Sequence, residues 1–137
     1  MAKAADLPSG TIVGSWIHGI SGSGKTHAVT TSYPDAYRKG CNKWWDGYQG
    51  EEVAFLDDID PNGVRFLGRF IKIWADRYAF VAEDKGGAKS IRPRKLIITS
   101  QYSIERCCEH VDEETKQALL RRFVEIEKQQ GQNIILL

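Results

Sequence analysis

The chain has 137 residues, a formal net charge of +1 and 42% hydrophobic residues, and no apolar run in it is long enough to span a membrane. These values predict one domain with a real core and no membrane partner, and they exclude a global basic field that would attract nucleic acid. Three cysteines, two of them adjacent at Cys107 and Cys108, argue against a disulfide framework, and with His110 they do not match the spacing of a zinc site.

The first recognisable motif follows a short polar start. Residues 1–13 are interpreted as a tail or linker remnant before a single domain at residues 14–137. Within that domain, residues 15–18 predict a buried strand, and residues 26–31 predict a helix that ends before Pro34. Residues 19–26 (GISGSGKT) fit the pattern G-x-x-x-x-G-K-[ST] of a phosphate-binding loop. The flanking strand and helix favour this interpretation over a Gly/Ser-rich connection with a chance lysine.

The residue types of this motif suit a polyphosphate. Glycines let the backbone turn and approach the phosphates, so that successive N–H groups point at the anion. Lys25 brings a positive charge to the β- and γ-phosphates, and the Thr26 hydroxyl is placed to hold Mg²⁺. The predicted nucleotide-binding residues are Gly19, Ser21, Gly22, Ser23, Gly24, Lys25, Thr26 and His27. The two histidines that flank the loop, His18 and His27, are interpreted as packing residues rather than catalysts.

A second candidate half of the site follows further along the chain. Residues 52–58 form an apolar run that ends in Asp57 and Asp58, which predicts a buried central strand with carboxylates at its carboxyl end. Ligands of open α/β sheets bind at this edge, so both acids should face the same site as Lys25. Asp57 is suited to hold Mg²⁺, and Asp58 to orient or deprotonate the attacking water. The alternative is a solvated turn cap before Pro61.

The remaining patterns alternate between helix and strand. The predicted elements are a turn at 61–63, a helix at 64–75, a strand at 78–82, a turn or hairpin tip at 83–89, a strand at 95–101, a helix at 113–122 and a strand at 123–127. This alternation predicts an α/β sheet with helices on its faces. Gln101, at the end of the strand at 95–101, could place an amide near the γ-phosphate, although simple turn formation also explains this polar end.

Five stretches together resemble a known family. They are residues 19–26, the run Asn42-Lys43-Trp44-Trp45-Asp46-Gly47-Tyr48, the strand ending at Asp57 and Asp58, Lys85-Gly86-Gly87, and Ile98-Thr99-Ser100. In these stretches the chain is similar to the replication-initiator (Rep) proteins of small circular single-stranded DNA viruses, in particular to the circovirus-type helicase domain of superfamily three. The resemblance extends from Trp16 to Glu127.

The resemblance implies a fold and an activity. The fold would be that of a P-loop NTPase, an AAA+-like three-layer α/β sandwich with a mainly parallel central sheet. The activity would be that of a helicase which uses ATP and Mg²⁺, assembles into a homo-oligomeric, hexameric ring, and translocates 3′ to 5′ on single-stranded DNA in the host nucleus. Residues 19–26 would be the Walker A motif, and Asp57 with Asp58 the Walker B motif.

The same resemblance assigns roles outside the nucleotide motifs. Lys85, and with it Lys89, would lie in the loop that contacts DNA, whereas the sequence alone favours an ordinary solvated hairpin lysine at Lys85. Gln101 would be the polar sensor, at a position where the family usually carries Asn. Arg122 is interpreted as the arginine finger that reaches a neighbouring subunit's ATP, and Arg121 as a structural residue or a second phosphate contact.

Some features of whole Rep proteins are not found in this sequence. Rep proteins begin with a nuclease domain that nicks and rejoins DNA, and its His-hydrophobic-His and Tyr-x-x-Lys motifs do not occur here. We therefore expect an ATPase domain without nicking activity. Two other functions stay open: a P-loop ATPase that acts on another polymer or on protein, and an oligomerising single-stranded DNA-binding module.

Overall fold

The computed structural model describes residues 2–134 and 136. In chain order its elements are β1 (Gly14–His18), α1 (Lys25–Ser32), β2 (Tyr37–Lys39), β3 (Val53–Ile59), α2 (Pro61–Trp74), β4 (Phe80–Asp84), β5 (Gly87–Ile91), β6 (Lys95–Ser100), α3 (Ile104–Cys107), α4 (Glu113–Arg122) and β7 (Phe123–Glu127). The bounds of α4 and β7 agree with the prediction. Strand β2 and helix α3 were not predicted, because both are too short to show a hydrophobic period.

The central sheet consists of parallel strands in the spatial order β2-β3-β6-β1-β7. The prediction of an α/β fold with a mainly parallel sheet is therefore confirmed. Strand β6 lies between β1 and β3, although it follows both of them in the chain. Because these strands run in one direction, their carboxyl ends meet at one edge of the sheet. The segment after β1 and the ends of β3 and β6 are thus neighbours at that edge.

Helices cover both faces of the sheet. Alternate residues of a strand point to opposite faces, so Trp16 and Leu56 pack on one side, in a core that includes residues of α2, α3 and α4. Ile17 and Phe55 point to the other side and pack with Val29 of α1. The molecule is therefore a three-layer sandwich. In the part of the chain that is described, no helix is long and apolar enough to cross a membrane.

Helix α2 begins three residues earlier than predicted, because Pro61 is its first residue. The side chain of Asp60 accepts a hydrogen bond from the Gly63 N–H at 2.7 Å and caps the helix. Proline is favourable at the first position because its missing N–H would have no partner inside the helix. The predicted turn at this point is wrong, since the same residue types also begin a helix. One face of α2 is then buried, including Leu67 and Ile71.

Strands β4 and β5 form an antiparallel hairpin outside the central sheet, with its tip at Lys85. A hairpin tip lies within the predicted turn at 83–89, but it consists only of residues 85–86, because β4 continues to Asp84 and the unpredicted β5 begins at Gly87. The strand predicted at 78–82 begins two residues later. Two hydrogen bonds donated by backbone N–H groups connect the hairpin to the aromatic run of residues 42–48. The Trp45 N–H donates to the Glu83 carbonyl at 2.9 Å, and the Lys85 N–H donates to the Asp46 carboxylate at 3.0 Å. The tip therefore has a defined position relative to the sheet.

The segment before β1 packs against the domain. The Leu7 N–H donates to the Arg77 carbonyl at 2.8 Å, and the side chain of Asp6 accepts a hydrogen bond from the Ala79 N–H at 2.8 Å. Val13 is fully buried in the larger core. This segment has no helix or strand among its described residues, as a linker would, but it contacts the α2–β4 connection. The domain boundary at residue 14 stays a prediction.

Candidate active site

The phosphate-binding motif forms the turn between β1 and α1, and α1 begins at Lys25. Gly22 and Gly24 have φ angles of 81° and 89°, in the left-handed region that a side chain makes unfavourable. Gly19 is required for a different reason, because a Cβ atom there would lie 2.2 Å from the carbonyl oxygen of Lys128. The loop therefore has the tight turns and close backbone approach of a phosphate cradle, and the N-terminus of α1 adds partial positive charge.

Lys25 lies against this loop and is only 8% exposed. Its ammonium group donates hydrogen bonds to the carbonyl oxygens of Gly19 at 2.6 Å and Ile20 at 2.9 Å. Burial lowers the pKa of Lys25, and the nearby carboxylates of Asp58 and Asp57 oppose this effect by favouring the charged form. The loop thus holds a cation directly beside the two acids.

Strand β3 changes its register where the two acids lie. Between Leu56 and Ile59 it has one more residue than the facing part of β6, which is a β-bulge. Asp58 adopts φ 60° and is the one non-glycine residue in the described range with positive φ. This conformation costs about 1–2 kcal/mol for a residue with a side chain. In a regular strand, successive side chains point to opposite faces, whereas here Asp57 and Asp58 line the same cleft.

Two hydroxyl groups converge on Asp57. Thr26 Oγ1 donates to Asp57 Oδ1 at 2.9 Å, and Thr99 Oγ1 donates to the same oxygen at 2.6 Å. Thr99 Oγ1 also accepts a hydrogen bond from the Asp58 N–H at 2.8 Å, and Arg38 Nη2 lies 3.7 Å from Asp57 Oδ2. Hydroxyl and carboxylate oxygens are the ligands that Mg²⁺ prefers. Thr26 and Asp57 therefore fit the metal-binding role that the sequence predicts for them.

The loop and the acids line one cleft of about 290 Å³ at the carboxyl edge of the sheet. Its lining residues are Ser21, Gly22, Gly24, Lys25, Thr26, His27, Asp57, Asp58, Thr99 and Gln101. Most of the predicted nucleotide residues are thus brought together. Gly19 and Ser23 belong to the loop without lining this cleft, and His27 lines the cleft instead of packing in a core. The cleft can hold a polyphosphate between backbone N–H groups, a lysine and oxygen ligands for a metal ion.

The two arginines lie at the opposite edge of the sheet. Phe123, which follows them, pairs with Gly14 at the start of β1, so the length of β1 separates them from the cleft. The Arg122 guanidinium donates to the Lys72 carbonyl at 2.8 Å and pairs with Asp76 at 3.2 Å. Arg121 is exposed and has no ion pair within the described residues. Arg122, expected to be the finger, thus joins α4 to the end of α2, and Arg121 is the side chain that is available to a neighbour.

The two hairpin lysines differ in their contacts. Lys85 is exposed at the tip, and the described residues provide no acceptor for its ammonium group. The Lys89 ammonium donates to the Tyr48 carbonyl at 2.5 Å and lies 5.7 Å from the centre of the Tyr48 ring. Of the two predicted DNA contacts, Lys85 is therefore the more available, whereas Lys89 also fixes the hairpin to the aromatic run.

Three residues of the site were not predicted. Thr99 binds both acids, Arg38 lies beside Asp57, and the Lys128 ammonium donates to the Ser23 carbonyl at 2.6 Å. The sequence did contain an indication of Thr99, because this residue lies in the polar end of a strand that was predicted to be buried. Arg38 and Lys128 carry no local pattern, because each depends on which strands become neighbours in the sheet.

The parallel sheet, the glycine-containing loop and the paired acids are those of a P-loop NTPase-like α/β fold. A model of the family described as RNA helicase matches residues 15–102. The match covers more than half of the chain, so the chain belongs to this family.

Similar proteins include the Replication-associated proteins of several circoviruses. The chain is 35% identical to that of Porcine circovirus 1 over 86 residues, 63% of this chain and 27% of the relative. It is 39% identical to that of Goose circovirus over 83 residues, 60% of this chain and 27% of the relative. For Pigeon circovirus the identity is 32% over 113 residues, 78% of this chain and 32% of the relative. The resemblance to circovirus-type Rep proteins is confirmed, and the chain spans about a third or less of these relatives.

The hydrogen bonds of Thr99 generate a testable prediction. Thr99→Val keeps the side-chain shape but removes both the donor to Asp57 and the acceptor of the Asp58 N–H. We expect Mg²⁺-dependent binding of a fluorescent ADP analogue to weaken about tenfold or more, because a hydrogen bond to a charged group contributes about 1.5–3 kcal/mol. Thr99→Ser keeps the hydroxyl group and should bind as the wild type does. Equal affinities of the valine variant and the wild type would show that Thr99 does not organise the acids.

Proposed function

We propose that this chain is the ATP-hydrolysing motor of a viral replication protein, and that it moves 3′ to 5′ along single-stranded DNA and separates strands. One observation carries the proposal: Lys25 of the loop and the hydrogen-bonded pair Thr26–Asp57 line the same cleft. The helicase family match supports the class of motor, and the relatives named Replication-associated protein support a role in replication. The direction of movement rests on the resemblance to Rep proteins.

In this proposal, the residues that line the cleft have separate roles. The loop N–H groups and Lys25 bind the phosphates of ATP, and Thr26 with Asp57 would hold Mg²⁺, which supplies neutralising charge. Asp57 Oδ1 already accepts two hydroxyl hydrogen bonds, whereas the Asp58 carboxylate accepts none within the described residues. The Asp58 carboxylate is therefore the one whose oxygens are available to the attacking water. Gln101 lines the same cleft, where its amide can orient that water or the γ-phosphate.

The hairpin supports an action on nucleic acid. Lys85 lies at a tip whose backbone is held by Asp46, so its ammonium group projects from a fixed point. Repeated around a homo-oligomeric ring, such a lysine would contact backbone phosphates without reading bases. Single-stranded DNA is the substrate that we propose, because the similar relatives are replication-associated proteins of circoviruses.

A motor that acts on RNA is the second candidate, because the description of the matched family names RNA. A lysine that contacts only phosphates does not distinguish the two polymers, since the 2′-hydroxyl is what separates them. An ATPase that acts on protein and a DNA-binding module without hydrolysis are further alternatives. The cleft, with both acids and the lysine in place, disfavours the module.

The central prediction concerns the cleft. Lys25→Ala should abolish ATP turnover, because it removes the charge at the β- and γ-phosphates. Asp58→Asn should bind Mg·ATP but lose about 10²-fold or more in turnover, because it removes the proton acceptor. Asp57→Asn should instead weaken Mg²⁺-dependent binding. Phosphate release and titration with a fluorescent ATP analogue, with and without Mg²⁺, measure these effects separately.

The same assay decides between the candidate functions. Wild-type turnover is measured alone, with single-stranded DNA and with single-stranded RNA. We expect single-stranded DNA to stimulate ATP turnover. If only RNA stimulates it, the substrate of the motor is RNA instead of DNA. A rate of ATP turnover that neither polymer changes would indicate an ATPase with another target. The absence of any turnover would contradict a motor of any kind.

Lys85 is predicted to act on DNA rather than on ATP. Lys85→Ala should weaken single-stranded DNA binding and reduce its salt dependence, because one phosphate contact is lost, while basal ATPase activity stays unchanged. Fluorescence anisotropy at several salt concentrations measures this. Lys116→Ala is the matched control, because Lys116 is on α4 and pairs with Glu105. If Lys85→Ala and the control bind DNA equally, Lys85 is an ordinary solvated lysine.

We propose Arg121 as the residue that acts on a neighbouring subunit's ATP, with Arg122 as its structural support. Arg121→Ala should reduce turnover about 10³-fold or more, as the loss of an arginine finger does. Arg122→Ala should mainly lower the melting temperature, because it breaks the contacts with α2. Mixed oligomers of Arg121→Ala and Lys25→Ala subunits should regain activity. It would return at interfaces where one subunit supplies an intact loop and its neighbour supplies an intact Arg121. Mixed oligomers that stay inactive, or an active Arg121→Ala protein, would reject this residue as the finger.

A further inference from the structure

A second lysine, Lys128, lies beneath the phosphate-binding loop. It follows β7, and its N–H donates to the His18 carbonyl at 2.7 Å, which extends the pairing of β7 with β1 up to the start of the loop. Its own carbonyl oxygen occupies the space beside Gly19 that a side chain would need. The main chain of Lys128 therefore supports the first turn of the loop directly.

The side chain of Lys128 supports the far end of the same loop. Its ammonium group donates to the Ser23 carbonyl at 2.6 Å and to the Gln129 carbonyl at 3.3 Å. Lys128 is 6% exposed and Ser23 is 2% exposed, so this contact is shielded from water. A Cβ atom on Gly24 would lie 3.4 Å from the Lys128 ammonium, which shows how closely the cation approaches the loop.

The contact with Ser23 has a direct effect on the next residue. The Ser23 carbonyl and the Gly24 N–H belong to one trans peptide, so they point in opposite directions. A cation on the carbonyl fixes the plane of this peptide and polarises it, which strengthens the N–H as a donor. Gly24 lines the cleft, which Lys128 does not line, and on its other side it lines a second cavity together with Lys128. The ammonium group can therefore act on a bound phosphate through this peptide.

The charge of Lys128 is costly where it lies. A buried ammonium group is unfavourable unless it is paired, and within the described residues no carboxylate lies within 4.0 Å of it. Two carbonyl oxygens accept hydrogen bonds from the ammonium group without neutralising its charge. A polyphosphate in the adjacent cleft would supply the missing negative charge. The buried charge of Lys128 is unfavourable in the free protein and would be compensated by a bound anion. A role in binding therefore explains this lysine better than a role in stability does.

We propose that Lys128 is a positioning residue of the phosphate-binding loop, which holds the Ser23–Gly24 peptide so that its N–H faces the phosphates and adds positive charge beneath them. This inference rests on the proposed nucleotide function of the same cleft. With this role for Lys128, the residue that follows β7 becomes part of the nucleotide site, although β7 carries no recognised motif.

The test compares Lys128→Met with the wild type and with Lys3→Met, which removes the same charge from an exposed residue. We expect Lys128→Met to bind ADP and ATP about tenfold or more weakly, because it loses a hydrogen bond from a charged group. Its melting temperature without nucleotide should stay equal or rise, while the rise caused by Mg·ADP should shrink. Lys128→Arg, which keeps a charged donor, should recover part of the affinity.

The outcomes separate this inference from the proposed function. A wild-type protein that binds neither ADP nor ATP overturns both. A wild-type protein that binds, together with Lys128→Met of equal affinity, overturns the inference alone. A lower melting temperature without nucleotide and unchanged affinity would show a structural role, and an arginine variant as weak as the methionine variant would contradict the part played by charge. If Lys128→Met does not fold, Lys128→Gln takes its place.

Discussion

The candidate site depends on strand β6 lying between β1 and β3. This order places the Thr99 hydroxyl between the phosphate-binding loop, which follows β1, and the acids, which end β3. Thr99 bonds both to the Asp57 carboxylate and to the Asp58 N–H, and Asp57 in turn accepts the hydrogen bond of Thr26. A chain of hydrogen bonds therefore connects β6, β3 and the first turn of α1. If β3 were the direct neighbour of β1, Thr99 would not lie beside the acids, and the Asp58 N–H and the second hydroxyl contact of Asp57 would lose their partner.

The bulge in β3 serves the same arrangement. A regular strand would send one of two successive acids to each face of the sheet, and only one of them could reach the cleft. The extra residue and the left-handed conformation of Asp58 bring both acids to the cleft. Such strain persists only where the surroundings hold it, and here the Thr99 hydroxyl accepts the Asp58 N–H. The two carboxylates consequently have different surroundings, which is what different chemical roles require.

The parts of the site that carry local patterns could be predicted from the sequence. The loop has a fixed spacing of glycines and lysine, and β3 and β6 are apolar runs with polar ends, so their meeting at one edge follows from a parallel sheet. The α2 start was missed because Asp60 and Pro61 suit a turn and a helix cap equally well.

Residues whose roles depend on distant packing could not be predicted. Lys128 reaches the loop only because β7 pairs with β1, and no pattern around residue 128 indicates that pairing. Likewise, Arg121 and Arg122 are equivalent in the sequence. Only the packing of α2 against α4 shows that Arg122 is bound to Asp76 and that Arg121 is exposed.

The most direct test of this account is an experimental structure of the protein with Mg²⁺ and a non-hydrolysable ATP analogue. We predict the analogue's phosphates on the loop N–H groups and a Mg²⁺ ion bound by Thr26 Oγ1, at about 2.0–2.1 Å, on the Asp57 side of the cleft. We also predict a water molecule in contact with the Asp58 carboxylate and the γ-phosphate. A metal ion ligated by Asp58 instead, or phosphates bound away from the loop, would contradict the division of roles between the two acids.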